Sequence, residues 1–108
     1  MSDLRNEKIK QNIKELSAVF IEKEASPASL ITLTRVELSS DSKRATLMIS
    51  VMPKEKEQAA YGFIKRNLGE LREHLKKHLR INPLPFLDVK IDLGEKNRQK
   101  IDELLNNG

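Results

Sequence analysis

The feature that most restricts the fold of this chain is a long helical pattern between Pro53 and the segment NPLP at positions 82–85. Apolar residues recur along it at spacings of three and four, which mark one face of a helix. They are Ile64, Leu68, Leu71, Leu75 and Leu79. One helix of this length would be unusual in a small domain, and too few apolar positions precede Ala60 to extend the stripe. We therefore predict two helices over about 54–79, with a break near Gly62.

The N-terminal segment has the same periodicity and predicts a first helix over about 4–23. Charged residues separate its apolar positions, as an amphipathic helix requires. Those positions are Ile9, Ile13, Leu16 and Phe20. Ser26 and Pro27 then end the helix.

Two runs rich in β-branched residues, LITLTRVEL and RATLMISVM, predict an antiparallel hairpin over about 30–52. Between them SSDSK supplies turn residues. In the first run Ile31 and Leu33 are out of phase with Val36 and Leu38. A β-bulge or a strand covered on both faces would explain this change of phase.

The run FLDVKID alternates apolar and polar residues, which predicts a third strand over about 86–92. The segment EKNRQKIDELLNN then predicts a short C-terminal helix over about 95–106. The resulting order is α-β-β-α-α-β-α. At 108 residues the chain is long enough for one domain, 1–108, of the α+β class.

The sequence lacks the residues that several classes of active site require. The absence of cysteine excludes thiol catalysis and cysteine-bound zinc. No phosphate-binding or dinucleotide-binding glycine pattern occurs. His74 and His78 have a spacing that could place both on one metal, but no third ligand is indicated. We expect no catalytic residue, metal, cofactor or small-molecule substrate.

No segment is apolar enough over a sufficient length to span a bilayer, and the first ten residues, MSDLRNEKIK, lack the apolar core of a signal peptide. We therefore expect a cytoplasmic protein without a membrane partner. Nothing in the sequence indicates more than a monomer.

The positive charge is concentrated in one part of the chain. The formal net charge is +4, and residues 54–81 alone contain eight basic and four acidic residues. A localised basic patch suits a polyanion such as nucleic acid, although a solvated helix face gives the same pattern.

Projected on a helical wheel, the basic residues after Gly62 form a stripe beside the leucines. The stripe contains Lys65, Arg72, Lys76 and Arg80, and Arg66 and Lys77 extend it. Gly69 lies within the stripe and would let a phosphate backbone approach closely. Lys43 and Arg44, at the hairpin, are secondary candidates, although a solvated surface explains these two better. We predict that the stripe binds the phosphates of a nucleic acid.

Gly62 stands where the second helix of the pair is predicted to begin. Free N–H groups there would attract an anion, although a tight turn between helices explains the glycine equally well. Tyr61 is the one candidate for base stacking. Phe20, Phe63 and Phe86 are predicted to lie in the core.

Taken together, these segments resemble the ribosome-binding factor A family over nearly the whole chain. The resemblance rests on Ala60-Tyr61-Gly62 at the predicted break, on FIKRNLGELREHLKKHLRI after it, and on the closing IDELL. That family has a type II KH-like fold in which Ala-X-Gly at a helix kink replaces the usual Gly-X-X-Gly loop. The resemblance implies a three-stranded sheet with the helices packed on one face. In this chain PLPF replaces the family's usual Pro-Glu-Leu entry to the last strand.

The resemblance implies a non-catalytic factor that binds immature small ribosomal subunits and their RNA. It further implies a role in late maturation, including processing of the 5′ end of the RNA, and a link to growth in the cold. It adds Ala60, Tyr61 and Gly62 to the predicted RNA-binding residues. Two alternatives remain: a KH-like module for other single-stranded RNA or DNA, and a domain that binds an acidic protein.

Overall fold

The structure is a computed structural model that describes residues 2–24, 30–81 and 83–94. A short 3-10 turn, Lys54–Lys56, precedes the second helix. The helices and strands, in chain order, are α1 (Ser2–Glu24), β1 (Leu30–Leu38), β2 (Arg44–Met52), α2 (Glu57–Arg66), α3 (Leu68–His78) and β3 (Phe86–Ile91). The helix predicted over 95–106 lies outside the described residues.

The three described strands form one sheet in the order β1-β2-β3. β1 and β2 are antiparallel and form the predicted hairpin, whose turn is closed by a hydrogen bond from Ser39 N to Arg44 O of 2.9 Å. Ser42 adopts a φ of 60° in that turn. β3 pairs with β2 in the parallel sense, and Leu47 lies opposite Val89 in the register.

A β-bulge in β1 accounts for the change of phase in its apolar pattern. The register with β2 shifts between Leu33 and Arg35, so the residues on either side of Thr34 keep their apolar side chains on one face. Leu33 and Val36 are both buried as a result. The Thr34 hydroxyl donates to Asp92 Oδ2 at 2.5 Å and lies 3.1 Å from the Met48 carbonyl oxygen. Of the two explanations that the sequence left open, the register shows the β-bulge.

One face of the sheet carries the hydrophobic core, and the helices cover that face. α1 lies against β1, whereas α2 and α3 lie against β3. The helices contribute Ile13, Ile21, Ile64, Leu71 and Leu75, which meet Ala45, Leu47, Ile49 and Val89 of the sheet. Burial of each large apolar side chain contributes about 1.5–3 kcal/mol. The predicted α+β class, with three strands and helices on one face, is confirmed.

The break between the paired helices lies at Asn67, and the prediction of a break near Gly62 is wrong. α2 continues through Gly62 to Arg66, and none of the described glycines has a positive φ. At Asn67 the backbone leaves helical geometry, with φ −101° and ψ 6°. Its side-chain Nδ2 donates to Phe63 O at 2.7 Å. An asparagine amide competes with the backbone in this way, and that competition explains the interruption.

Candidate nucleic-acid interface

The motif Ala60-Tyr61-Gly62 lies within α2 and does not form a kink. Ala60 is buried in the core, so its side chain is not available to a ligand. Gly62 has helical neighbours on both sides, and the anion site predicted from free N–H groups at a helix start is therefore absent from this position. A Cβ added at Gly62 would come within 3.2 Å of Arg66 Nη1, the mobile end of an exposed side chain.

Tyr61 and Lys65 form a connected pair at the side of α2 that faces β3. Lys65 Nζ donates to the Tyr61 hydroxyl at 3.2 Å and lies 5.5 Å from the centre of its ring. Asp88 Oδ1, on β3, is 3.9 Å from the same ammonium group. The hydrogen bond to Tyr61, followed by the nearby charges, raises the pKa of Lys65 above its ordinary value.

Five of the predicted cations are exposed on or just after the two helices. We call them the basic helix surface: Lys65, Arg66, Lys76, Lys77 and Arg80. Lys76 forms an ion pair of 3.4 Å with Glu73 one turn earlier in α3. Such an exposed pair contributes about 0.2–1 kcal/mol and leaves the lysine free to exchange partners. Arg80 follows the C-terminal end of α3.

Gly69 is exposed in the first turn of α3 beside these cations. A Cβ added there would meet no atom within 4 Å, apart from the helix's own neighbouring backbone. The described fold therefore gives no steric reason for glycine at this position. A glycine within a helix costs about 0.5–1 kcal/mol relative to alanine.

Arg72 is only partly exposed, unlike the other cations of the predicted stripe, and its contact with RNA stays a prediction. Its Nη1 donates to the carbonyl oxygens of Pro85 at 2.6 Å and Leu84 at 3.2 Å. Both of those residues are buried. The guanidinium group therefore holds α3 to the segment that leads into β3. The helical wheel treated it as a surface cation because the wheel contains no information about neighbouring loops.

Phe86 is also placed differently from its prediction. It is 67 % exposed at the start of β3, whereas Phe20 and Phe63 are partly buried against the core. The sequence contained the signal, because Phe86 shares its alternation phase with Asp88 and Lys90 and not with the apolar positions of the strand.

The secondary candidates Lys43 and Arg44 lie beside Phe86. The Phe86 N–H donates to Lys43 O at 2.8 Å, and Arg44 is the register partner of Phe86 on β2. Both basic residues are exposed. The parallel pairing of the strands thus brings the hairpin cations close to the end of β3 that Arg72 holds.

The two histidines form a packed pair on α3, and His74 also contacts α1. Their rings lie 4.4 Å apart, and the His74 ring lies 5.7 Å from that of Phe20. No group of three potential ligands suitable for a metal ion occurs within residues 2–24, 30–81 and 83–94. Over the same ranges, no helix combines the length and apolar character needed to cross a membrane.

A match to a protein-family model decides the family to which this chain belongs. Residues 5–105 match the family model described as ribosome-binding factor A. The chain belongs to the ribosome-binding factor A family. The match includes α2, α3 and all three described strands.

Individual ribosome-binding factor A proteins support the same assignment. The chain is 28 % identical to that of Natranaerobius thermophilus in an alignment of 108 positions that covers 97 % of this chain and 82 % of the relative. It is 33 % identical to that of Prochlorococcus marinus in an alignment of 100 positions that covers 91 % of this chain and 80 % of the relative. The crystal structure of ribosome-binding factor A from Thermus thermophilus has a TM-score of 0.69 at 22 % identity, and the match covers 78 % of this chain and 92 % of that one. The KH-like fold is confirmed.

Substitution of Arg72 tests whether its side chain stabilises the protein by holding α3 to the segment before β3. We expect Arg72→Ala to lower the free energy of unfolding by about 1–3 kcal/mol, because two carbonyl oxygens lose a charged donor. Chemical denaturation measures this loss. Lys76→Ala, one turn later on the same helix, should stay within about 0.5 kcal/mol of wild type. Equal effects of the two substitutions would contradict the structural role of Arg72.

Titration of His74 should make stability depend on pH. Burial, and then the positive charges of His78, Lys23 and Lys77, lower the pKa of His74 below its ordinary value. The unfolded chain therefore takes up a proton more readily than the folded chain, and stability should fall as pH drops through about 6.5. The slope from this one residue stays below about 1.4 kcal/mol per pH unit. Denaturation at several pH values should give a flatter profile for His74→Gln; an unchanged profile would contradict this origin.

Proposed function

We propose that this protein is a non-catalytic assembly factor that binds immature small ribosomal subunits through their RNA. Its action would assist late maturation, including processing of the 5′ end of the RNA. Membership of the ribosome-binding factor A family supports ribosome binding. The concentration of exposed cations in the basic helix surface is the observation that carries the RNA contact.

The charge of this surface fits a phosphate backbone better than an isolated anion. Residues 65–80 contain six basic and two acidic residues, and only Arg72 among the six basic ones is bound to main-chain carbonyl groups in the described structure. Lysine and arginine contacts to phosphates supply affinity that depends on salt and little on sequence. Structured RNA is recognised largely by such contacts and by shape.

A structural neighbour supports the choice of partner. The coordinates of a Thermus thermophilus ribosome-binding factor A homology model, fitted into an electron microscopy map of a 30S–RbfA complex, match this chain with a TM-score of 0.66 at 23 % identity. The match covers 75 % of this chain and 88 % of that one. By analogy we propose the small subunit as the partner here, with the protein acting as a monomer in the cytoplasm.

Charge reversal on the basic helix surface tests the RNA contact. We expect Arg66→Glu combined with Lys77→Glu to weaken co-sedimentation with immature small subunits and to lower the salt dependence of binding, by a log–log slope of about one per lost phosphate contact. Lys54→Glu combined with Lys56→Glu is the matched control. It makes the same change in net charge within the same basic segment, outside the predicted residues.

Equal loss in both double variants would show that bulk charge and not this surface is responsible. Equal wild-type binding to mature subunits or to any short RNA would favour a generic KH-like module. Binding that survives nuclease treatment would favour an acidic protein partner.

For maturation itself, cells that lack the protein should accumulate small-subunit RNA with an unprocessed 5′ end, and rescue should require an intact basic helix surface.

Gly69 offers a test that separates binding from stability. We expect Gly69→Ala to raise the free energy of unfolding by up to about 1 kcal/mol, since the added Cβ meets open space in a helix. The same methyl group should weaken binding to immature subunits if a phosphate backbone approaches the helix there. Denaturation and co-sedimentation of one variant measure both effects. A more stable variant with unchanged binding would exclude Gly69 from the contact.

A further inference from the structure

Phe86 is the one aromatic side chain of this protein that is largely exposed. The chain has three phenylalanines and one tyrosine, all within the described residues, and the other three are partly buried. Phe86 is 67 % exposed at the start of β3, out of phase with the fully buried Val89. A large aromatic ring kept in water gains nothing for folding and is a common feature of binding sites.

The Phe86 ring is held in place before any ligand arrives. Its backbone N–H donates to Lys43 O at 2.8 Å, which fixes the start of β3 to the hairpin. The Arg72 guanidinium carbon lies over the ring, 5.2 Å from its centre. Because Arg72 is itself bound to two main-chain carbonyl groups, the ring is supported by a fixed planar cation. A preorganised ring loses little entropy when it binds a ligand.

The charges around the ring favour a nucleotide. Arg44 lies beside Phe86 in the register of β2, and Lys43 precedes it. The carboxylates nearby have partners of their own: Asp88 lies 3.9 Å from Lys65, and Asp41 accepts from the Ser39 hydroxyl and the Lys43 N–H. Cations beside an exposed aromatic ring are the arrangement by which proteins bind single-stranded nucleic acid.

The apolar area at this position is too small for a protein interface. On the same sheet face the neighbours of Phe86 are Arg44, Thr46, Asp88 and Lys90, all of which are polar. A stable protein–protein contact needs a much wider patch with an apolar centre. One ring framed by cations has the size and charge to receive one base and its phosphates.

We propose that Phe86 stacks on an unpaired base of the bound RNA, with Lys43 and Arg44 beside the flanking phosphates. This inference rests on the proposed function, because it names a further contact with the same RNA. It assigns the hairpin cations, which the sequence marked only as secondary candidates, to a base-stacking site at the start of β3.

Substitutions that separate aromatic stacking from apolar contact test the proposal. Phe86→Ala and Phe86→Leu should each reduce the affinity for immature small subunits by about tenfold, whereas Phe86→Tyr should bind nearly as well as wild type. Denaturation should show stability close to wild type for all three. Leu30→Ala is the matched control, since Leu30 is 65 % exposed on the same sheet face at the opposite corner.

A spectroscopic readout tests stacking directly. The chain has no tryptophan, so Phe86→Trp introduces a single indole at the site. Its fluorescence should be quenched on addition of short single-stranded RNA or immature subunits, and duplex RNA of the same length should quench it much less. Leu30→Trp should show little change with any of them.

The outcomes separate this proposal from the proposed function. Wild-type retention on immature subunits together with full retention of Phe86→Ala would overturn the stacking site and leave the assembly factor intact. If Phe86→Leu binds immature subunits with wild-type affinity, the contact at this position is simple apolar contact and the stacking proposal is wrong. A wild-type protein that fails to bind subunits while Phe86→Trp is still quenched by single-stranded RNA would support stacking and overturn the subunit assignment.

Discussion

The parallel pairing of β3 with β2 is the constraint on which the rest of this structure depends. Parallel neighbours cannot be joined by a tight turn, so the chain must return from the end of β2 to its beginning before β3 can start. β2 spans roughly 30 Å at the usual rise per residue of a strand. α2 and α3 bridge that distance across one face of the sheet, and they bury the leucine stripe as they do so. The contact between Arg72 and the carbonyl groups of Leu84 and Pro85 fixes the point at which the return is complete.

This return brings together residues that lie far apart in the sequence. The basic helix surface belongs to the crossover itself, whereas Lys43 and Arg44 belong to the hairpin. β3 lies between them, with Asp88 near Lys65 and Phe86 beside Arg44. Parallel pairing therefore places both groups of cations along one edge strand. Neither a helical wheel nor a count of charges along the sequence can show that proximity, because it depends on the register between strands.

The elements were predictable from the sequence wherever one periodicity dominated. Both hairpin strands and the first helix follow from the phase of the apolar residues, which in β1 left a bulge or a doubly covered strand as alternatives. The break lies at Asn67 and not at a glycine, and the side-chain bond of Asn67 to a backbone carbonyl does not show in a helical pattern. The contacts of Arg72 depend on the loop before β3, which a helical wheel does not include, whereas the exposure of Phe86 agrees with its alternation phase, shared with Asp88 and Lys90. The C-terminal helix over 95–106 and the RNA contacts stay predictions.

The bulge in β1 has a further consequence at the edge of the molecule. β1 is an outer strand of the described sheet, with a row of backbone groups directed away from β2. An extended, flat edge would accept a strand from another copy of the chain and begin aggregation. The shift at Thr34 twists that edge, and the charged side chains of Arg35 and Glu37 stand exposed beside it. The irregularity that keeps apolar residues inward thus also protects the open side of the sheet from self-association.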